Sequence, residues 1–148
     1  MVNRKRGRGT QVNHAVAEKD TYTFGLLLPG AGESEIFATI NNRLLGLSKE
    51  MGFDCLWDGA TASNADIRRN LIELCCENYI KRNVDGIFFS PLERVSDAGR
   101  LNLDICRRVE EADIPLVLID RDIVAPPARS RFDVVGLDNY NAATEMAR

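Results

Sequence analysis

The sequence predicts an α/β fold of three layers, in which a parallel sheet lies between helices on both faces. Three observations support this fold class. From Thr23 onward, short apolar runs alternate with helical apolar stripes, the connections between them are short, and glycine, proline or polar residues follow the runs. Strands that are buried on both faces and joined by helices form parallel sheets with right-handed crossovers.

Five apolar runs are predicted to be strands. Each is short and is followed by a turn signal, as expected for a strand in the middle of a sheet. These runs cover residues 24–28, 53–58, 84–90, 116–120 and 132–137. The segment between the last two runs contains Pro126-Pro127 and is predicted to be a loop.

Four helical patterns follow the strands. The first spaces its apolar residues by four, four, three and four, which places them on one helical face: Ile36, Ile40, Leu44, Leu47 and Met51. Gly52 then predicts the end of that helix. The second and third helices carry the apolar positions Ile67, Leu71, Leu74, Cys75 and Tyr79, and Leu101, Ile105, Val109 and Ala112. The predicted caps of the last three helices are Ser63 or Asn64, Ser96 or Asp97, and Asp138-Asn139.

The composition is that of one globular domain. The chain has 148 residues, of which 45% are hydrophobic and 28% are charged, and these figures fit neither disorder nor a collagen-like repeat. No apolar run approaches the roughly 20 residues that cross a bilayer. No apolar segment follows the basic start, as it would in a secretory signal. We therefore expect a cytoplasmic protein with no membrane partner.

Charge is concentrated at one end of the chain. Residues 1–12 contain four of the 19 basic residues and no acid, so the other 136 residues carry 15 basic and 22 acidic side chains and a net charge of −7. The four basic residues are Arg4, Lys5, Arg6 and Arg8. Contacts with phosphates require concentrated positive charge. The main body is therefore not expected to bind nucleic acid, whereas the head is either a DNA contact or a solvated tail.

The motifs of common α/β enzymes are missing. Gly30-Ala31-Gly32 could begin a dinucleotide fingerprint, but Glu35 stands at the third glycine position and would repel a pyrophosphate. The single histidine, His14, lies outside the predicted sheet, which argues against a nucleophile–base pair. The four cysteines lack the spacing of a zinc site. We expect no enzymatic activity, no cofactor and no bound metal.

Polar residues at the predicted strand ends indicate a ligand-binding edge, since ligands of such folds gather at the carboxyl ends of the strands. Asp120 and Asp122 could be paired carboxylates for acid–base chemistry or Mg²⁺ binding, part of a charged loop, or acceptors for ligand hydroxyls. A carboxylate accepts hydrogen bonds from the vicinal hydroxyls of a sugar. An aromatic ring can then cover the apolar face of the sugar. The candidates for this chemistry are Ser34, Phe37, Ser90 and Asp120, with helix packing as the alternative for Phe37.

Three segments resemble the effector-binding domain of the lactose/galactose-repressor family. They are I-P-L-V-L-I-D-R-D at 114–122, V-V-G-L-D-N-Y-N-A-A at 134–143 and V-D-G-I-F-F-S-P at 84–91. S-E-I-F at 34–37 is similar to the family's first ligand loop, although the family often has Asn-Pro at the first two positions. The resemblance covers residues 23–148 and implies the N-terminal lobe of a periplasmic-binding-protein-like (type I) domain that lacks its second lobe.

The basic head, N-R-K-R-G-R-G-T-Q-V at 3–12, is similar to the end of the wing in gluconate-repressor (GntR) type regulators. Gln11 stands where an aromatic residue is common. This resemblance implies that Arg4, Lys5, Arg6 and Arg8 contact the DNA backbone or minor groove. It divides the chain into a remnant of a winged-helix head at 1–12, a linker at 13–22 and a truncated effector-binding lobe at 23–148.

Together the two resemblances imply a fragment of a bacterial transcription regulator. A sugar-like effector would bind between the lobes, and closure would change the spacing of two DNA-binding heads in a homodimer. The effector-binding residues implied on this lobe are Ser34, Phe37, Ser90, Asp120 and Arg121. The first helix is either part of the dimer interface or an ordinary packed helix. Two alternatives stay open: a solute-binding protein for sugar uptake, and an enzyme of flavodoxin-like or Rossmann-like fold.

Overall fold

The computed structural model describes residues 2–4, 10–12, 21–29, 35–57, 65–93, 97–137 and 139–147. The strands are β1 (Val2–Arg4), β2 (Thr10–Val12), β3 (Thr23–Leu27), β4 (Asp54–Leu56), β5 (Gly86–Phe89), β6 (Leu116–Ile119) and β7 (Asp133–Val135). The helices are α1 (Glu35–Met51), α2 (Ala65–Lys81), α3 (Ala98–Glu111) and α4 (Asn139–Met146). None of these helices is long and apolar enough to cross a membrane.

Strands β3 to β7 form one parallel sheet in the order β4-β3-β5-β6-β7. The first of these strands along the chain, β3, therefore lies inside the sheet, between β4 and β5. The chain passes from β3 to β4 on one side of it, and β5, β6 and β7 then follow on the other side. The strand order therefore reverses between β3 and β5, which makes this the topological switch point of the sheet. All five predicted strands are present and parallel, which confirms the predicted fold class.

Two apolar clusters, one on each face, hold the sheet between its helices. On one face Leu27, Phe89 and Leu118 pack with side chains of α2 and α3, among them Tyr79 and Ile105. On the other face lies a second cluster. The sheet contributes Leu26, Leu28 and Ile119, and the apolar face of α1 contributes Phe37, Ile40 and Leu44. Neighbouring residues of one strand point to opposite faces, so Leu26 and Leu27 belong to different clusters.

The buried faces of α1 and α2 differ from the predicted ones. Ile36 and Met51 were expected on the packed face of α1 but are 58% and 71% exposed. Ile67 and Leu74 of α2 are each 53% exposed. A helix covers a sheet with a limited arc of its surface. In α1 that arc is centred on Asn41, with apolar neighbours on either side, and the two terminal apolar residues fall outside it.

The N-cap of α3 lies at a predicted residue but lacks the predicted capping hydrogen bond. Asp97 is the N-cap residue, as expected, but it has a left-handed backbone with φ of 60° and its side chain makes no capping hydrogen bond. At the other end of a helix, Gly52 follows α1 with φ of 74°, the conformation that glycine adopts most readily. The cap candidates Ser63, Asn64, Ser96 and Asp138 lie outside the described residues.

The basic head contains a separate antiparallel pair of strands. β1 pairs with β2 so that Val2 lies opposite Val12 and Arg4 lies opposite Thr10. The segment between the two strands holds Lys5, Arg6 and Arg8, which lie outside the described residues.

Candidate functional site

Ser90 lies at the switch point of the sheet, directly after β5. Its backbone N–H donates to the carbonyl of Leu27, at the end of the neighbouring β3, over 3.0 Å. The residue is 3% exposed. Ligands of open α/β sheets bind outside the carboxyl ends of the strands at this point. The structure therefore places Ser90 at the position where the fold type expects a ligand.

A buried amide fixes the segment that follows Ser90. Asn102 of α3 is 6% exposed. Its Oδ1 accepts the N–H of Leu92 at 2.9 Å, and its Nδ2 donates to the carbonyl of Leu92 at 3.1 Å. These two hydrogen bonds, to the N–H and the carbonyl of one residue, fix the course of the chain between β5 and α3. Because buried polar groups need partners, both ends of this amide are satisfied by the same residue.

Asp120, directly after β6, has an unusual backbone conformation. Its φ is 76°, in the left-handed region, and its N–H donates to the carbonyl of Val135 over 2.8 Å. The neighbouring strand approaches so closely that a Cβ on Gly136 would lie 2.6 Å from the carbonyl oxygen of Asp120. A side chain at 136 would therefore force one of the two strand ends to shift, and glycine avoids this at the place where Asp120 has its left-handed backbone.

Arg121 joins Asp120 to the loop after β5. It donates to Oδ2 of Asp120 twice, from Nε at 3.1 Å and from a terminal nitrogen at 2.6 Å, and it also pairs with Glu93. The side chains of Asp120, Arg121 and Glu93 are 29%, 39% and 57% exposed. This ion cluster ties the carboxyl ends of two adjacent strands together at their rim.

Asp122 organises the loop that follows β6. Its carboxylate accepts the N–H of Ser130 at 2.9 Å and that of Val124 at 3.4 Å. Burial of the Asp122 carboxyl opposes ionisation, but the hydrogen bonds from Ser130, Val124 and Ile123 outweigh it and lower its pKa. Since these loop contacts occupy both oxygens of Asp122, the structure gives it a loop-forming role and does not favour a carboxylate pair with Asp120.

A cavity of about 660 Å³ opens beside this loop. Its walls come from the end of β6, the loop after it and the end of β7: Asp120, Arg121, Asp122, Val124, Pro126, Pro127, Ala128, Arg129, Val134, Gly136 and Leu137. Volumes of this size hold small ligands. Asp120 and Arg121 thus share one cavity, and Ser90 lies at the end of the adjacent strand without lining it.

Phe37 has a packing role in this fold. It packs in the second cluster with Leu26, Leu28 and Ile119, under α1. The side chain is half-buried, so the packing alternative describes its contacts here. Its expected partner Ser34 lies outside the described residues.

Sequence reasoning missed four residues that shape this edge: Asn41, Glu93, Asn102 and Gly136. Asn41 of α1 is 1% exposed, and its Nδ2 donates to the carbonyl of Pro29 at the end of β3. A signal for the two asparagines existed, because each occupies a position within the apolar stripe of its helix. A buried amide at such a position usually serves a backbone group.

Two buried thiols, those of Cys76 and Cys106, are unsuited to nucleophilic chemistry. Burial raises the pKa of Cys76 to about 11 and that of Cys106 to about 12, and the reactive form of cysteine is the thiolate. Both belong to the cluster between the sheet and helices α2 and α3. Within the described part of the chain, no three His, Cys, Asp or Glu side chains come together as a set that could hold a metal ion.

Three solved structures resemble this arrangement. GanP, a glucose-galactose binding protein from Geobacillus stearothermophilus, is 26% identical with a TM-score of 0.60, over 88% of this chain and 42% of that chain. An ABC transporter, LacI family transcriptional regulator from Brachyspira murdochii is 21% identical with a TM-score of 0.62, over 86% and 37%. An ABC sugar transporter subunit from Rhodobacter sphaeroides 2.4.1 is 15% identical with a TM-score of 0.61, over 85% and 39%.

The match covers nearly all of this chain, but the chain spans only about two fifths of the length of each of these structures. No protein-family model and no curated protein matches it. The neighbours are a glucose-galactose binding protein, an ABC sugar transporter subunit and a LacI family transcriptional regulator, and the parallel sheet of this chain with its helices matches their fold. The chain therefore has the α/β fold of type I periplasmic-binding-protein-like domains.

Proposed function

We propose that this chain is the N-terminal, ligand-sensing lobe of a bacterial transcription regulator, and that it binds a small sugar-like effector at the carboxyl edge of its sheet. The observation that carries the proposal is the cavity beside Asp120, whose backbone is locked at the strand end by Gly136. A residue held in a strained conformation by its neighbours is typical of a binding site. The sugar-binding neighbours favour a polyol as the ligand.

The chemistry of Asp120 suits a hydroxyl ligand. Both donors of Arg121 go to Oδ2, and among the described residues no hydrogen bond reaches Oδ1. That oxygen can accept a hydrogen bond from a sugar hydroxyl, and the bond is charge-assisted. Arg121 supplies the complementary donors for a ring or hydroxyl oxygen. Ser90, directly after the adjacent strand β5, extends the proposed site along the edge, and Ser34 is proposed as a further contact of the effector.

The basic head supports a DNA partner. An antiparallel pair of strands, β1 and β2, flanks a segment rich in Lys and Arg, which is the form of a wing that contacts phosphates. In this proposal residues 1–12 are the end of a winged-helix head and 13–22 are a linker. Arg4, Lys5, Arg6 and Arg8 contact operator DNA. Effector binding then closes this lobe on a second one and changes the spacing of two heads in a cytoplasmic homodimer.

A second candidate is a solute-binding protein for sugar uptake. The 26% identity to the glucose-galactose binding protein GanP favours it. The two candidates share a sugar site and differ in the role of residues 1–12. The concentrated positive charge of that segment suits contact with phosphates, which the transport function does not require.

A ligand screen on the natural protein that contains this chain tests both parts of the proposal. Pentoses and hexoses are added in a thermal-shift assay, with nucleotides as the negative set. A ligand at 100 times its Kd stabilises the folded state by about 2.7 kcal/mol, so a true effector raises Tm clearly. Mobility shift with genomic operator fragments, with and without that sugar, then distinguishes the regulator from the transport protein. Stabilisation by nucleotides alone would refute the sensor.

The variant Asp120→Asn tests the site directly. Asparagine tolerates a left-handed backbone, so the fold should persist, while the charge-assisted acceptor is lost. We expect sugar affinity to fall by about 1.5–3 kcal/mol, the range for hydrogen bonds to charged groups. Asp133→Asn is the matched control, because Asp133 is exposed and begins β7, at the amino ends of the strands and away from the carboxyl edge. Unchanged titration calorimetry for Asp120→Asn would remove this residue from the site.

A further inference from the structure

Five charged side chains lie at or beside the cavity at the end of β6, and their charges do not cancel. Asp120, Asp122, Arg121 and Arg129 line it with two charges of each sign. Glu93, in the loop after β5, pairs with Arg121. Together these five groups carry a net charge of −1.

The positive charge nearest the proposed hydroxyl acceptor is already compensated. Arg121 is shared between two carboxylates, one on each adjacent strand end. Arg129 also lines the cavity and is exposed to solvent, where water screens its charge. An anionic ligand beside Oδ1 of Asp120 would therefore face a carboxylate whose paired cation, Arg121, is already shared with Glu93. Like charges at such distances repel appreciably even at surface dielectric constants.

Two of the helices that begin at this edge carry an acid at their N-terminus. A helix N-terminus has partial positive charge that favours anions. Glu35 lies in the first turn of α1 and Asp97 at the cap of α3, whereas α4 has no acid in its first turn. The carboxylates of Glu35 and Asp97 offset the dipoles of α1 and α3.

We infer that this edge selects uncharged sugars over phosphorylated or carboxylated ones, and that Glu93 is the residue that sets the selection by holding and neutralising Arg121. The inference rests on the proposed sugar-binding function and specifies its ligand class. Glu93 acts as a positioning residue through Arg121. Its own place is fixed by the preceding residue, Leu92, which Asn102 holds through both of its backbone groups.

The test uses matched sugar sets and the natural protein that contains this chain. Glucose, glucose 6-phosphate and glucuronate form one set, and galactose with its 6-phosphate and uronate forms another; a neutral sugar found in the screen above is added with its phosphate. Titration calorimetry measures the Kd of each ligand. We expect each anionic member to bind at least about tenfold more weakly than its neutral parent, or about 1.4 kcal/mol.

The variant Glu93→Gln shows whether Glu93 causes this selection. Without its charge Arg121 is freed, so the ratio of anionic to neutral Kd should fall at least about threefold and grow more sensitive to salt. Glu111→Gln is the control, because Glu111 also pairs with an arginine and is 63% exposed, but it ends α3 at the amino edge of the sheet. A purely structural role of Glu93 would weaken both ligand types equally.

The outcomes separate the two proposals. Binding of no sugar at all overturns the sugar-sensing function and this inference with it. Binding of a sugar phosphate or uronate as tightly as the neutral parent, or more tightly, overturns the inference and leaves the sensing function in place. An unchanged ratio in Glu93→Gln overturns the role of Glu93.

Discussion

At the scale of single residues, the edge of the sheet depends on Asp120 and the glycine behind it. A non-glycine residue with positive φ is uncommon, and aspartate is among the few that tolerate it. Asp120 keeps this conformation because its N–H is bound to Val135 and its carbonyl lies against Gly136. The backbone geometry turns the chain sharply out of β6, and it places the carboxylate and Arg121 at the rim.

The variant Gly136→Ala should unfold more easily. Its Cβ would stand 2.6 Å from the carbonyl oxygen of Asp120, so one of the two strand ends has to shift, at about 1–3 kcal/mol. Urea unfolding followed by circular dichroism measures the loss. Gly46→Ala is the control, since nothing lies within 4 Å of a Cβ there and alanine in a helix interior should add about 0.5–1 kcal/mol. Equal stability of Gly136→Ala and the parent would disprove the clash.

The candidate site could be predicted only in part. Asp120, Arg121 and Ser90 follow from the rule that ligands gather at strand ends, because the strands themselves are legible as apolar runs. The clamp by Asn102 and the approach of Gly136 to Asp120 depend on contacts between segments that are distant in sequence. No local pattern specifies which carbonyl a buried amide will meet, so the partner of Asn102 became known only from the fold.

At the scale of elements, the strands were easier to predict than the faces of the helices. A strand buried on both sides is apolar throughout, so β3, β5 and β6 stand out in the sequence. A helix such as α1 carries more apolar residues than one sheet face can cover. Ile36 is 58% exposed, whereas its neighbour Phe37 packs against the sheet. Which of the two is buried depends on the rotation of α1 about its own axis, and the spacing of apolar residues does not determine that rotation.

The packing of α2 and α3 against the sheet predicts a loss of stability at alkaline pH. Unfolded cysteine ionises near its ordinary value of 9.0, whereas burial raises the pKa of Cys76 to about 11 and that of Cys106 to about 12. The unfolded state therefore releases protons first, so their stabilising effect is complete below pH 9 and is lost as pH rises toward 12. The slope is about 1.4 kcal/mol per pH unit for each thiol.

Unfolding in urea at several pH values between 8 and 11 measures this effect. The double variant Cys76→Ala, Cys106→Ala is less stable at pH 8 because it leaves a cavity, but its stability should fall less steeply with pH. Cys55→Ala is the single-site comparison: Cys55 is only half-buried at β4, and burial raises its pKa as well, so its removal should flatten the pH profile less than the double variant does. Parallel pH profiles for the parent and the double variant would show that the two thiols do not contribute.

At the scale of the whole molecule, the sheet ends at β4 on one side and at β7 on the other. The β7 edge carries Val135, 61% exposed, and Leu137, 73% exposed. An exposed apolar edge strand can pair with another chain. The chain studied by itself is therefore expected to associate through this edge at high concentration.

Replacing Val135 and Leu137 by lysine should suppress that association, because charged side chains protect an edge strand. Sedimentation velocity over a range of concentrations measures the distribution of species. Met146→Lys is the control. Met146 is 89% exposed on α4, so this substitution removes a comparable apolar side chain that does not belong to the edge strand. If all three proteins sediment alike at every concentration, the β7 edge is not an association surface.

The interior position of β3 also affects the order in which the molecule can be built. On the ribosome β3 is the first strand of the large sheet to emerge, yet it needs a neighbour on each side. One of them is β5, and Thr23 donates to Asp85, 62 residues further along. The centre of the sheet therefore closes only when more than half of the chain has been synthesised. Until then β3 can pair only with β4, and its other edge stays unpaired. A nascent chain stalled before residue 89 would therefore be a natural substrate for chaperones that recognise extended apolar segments.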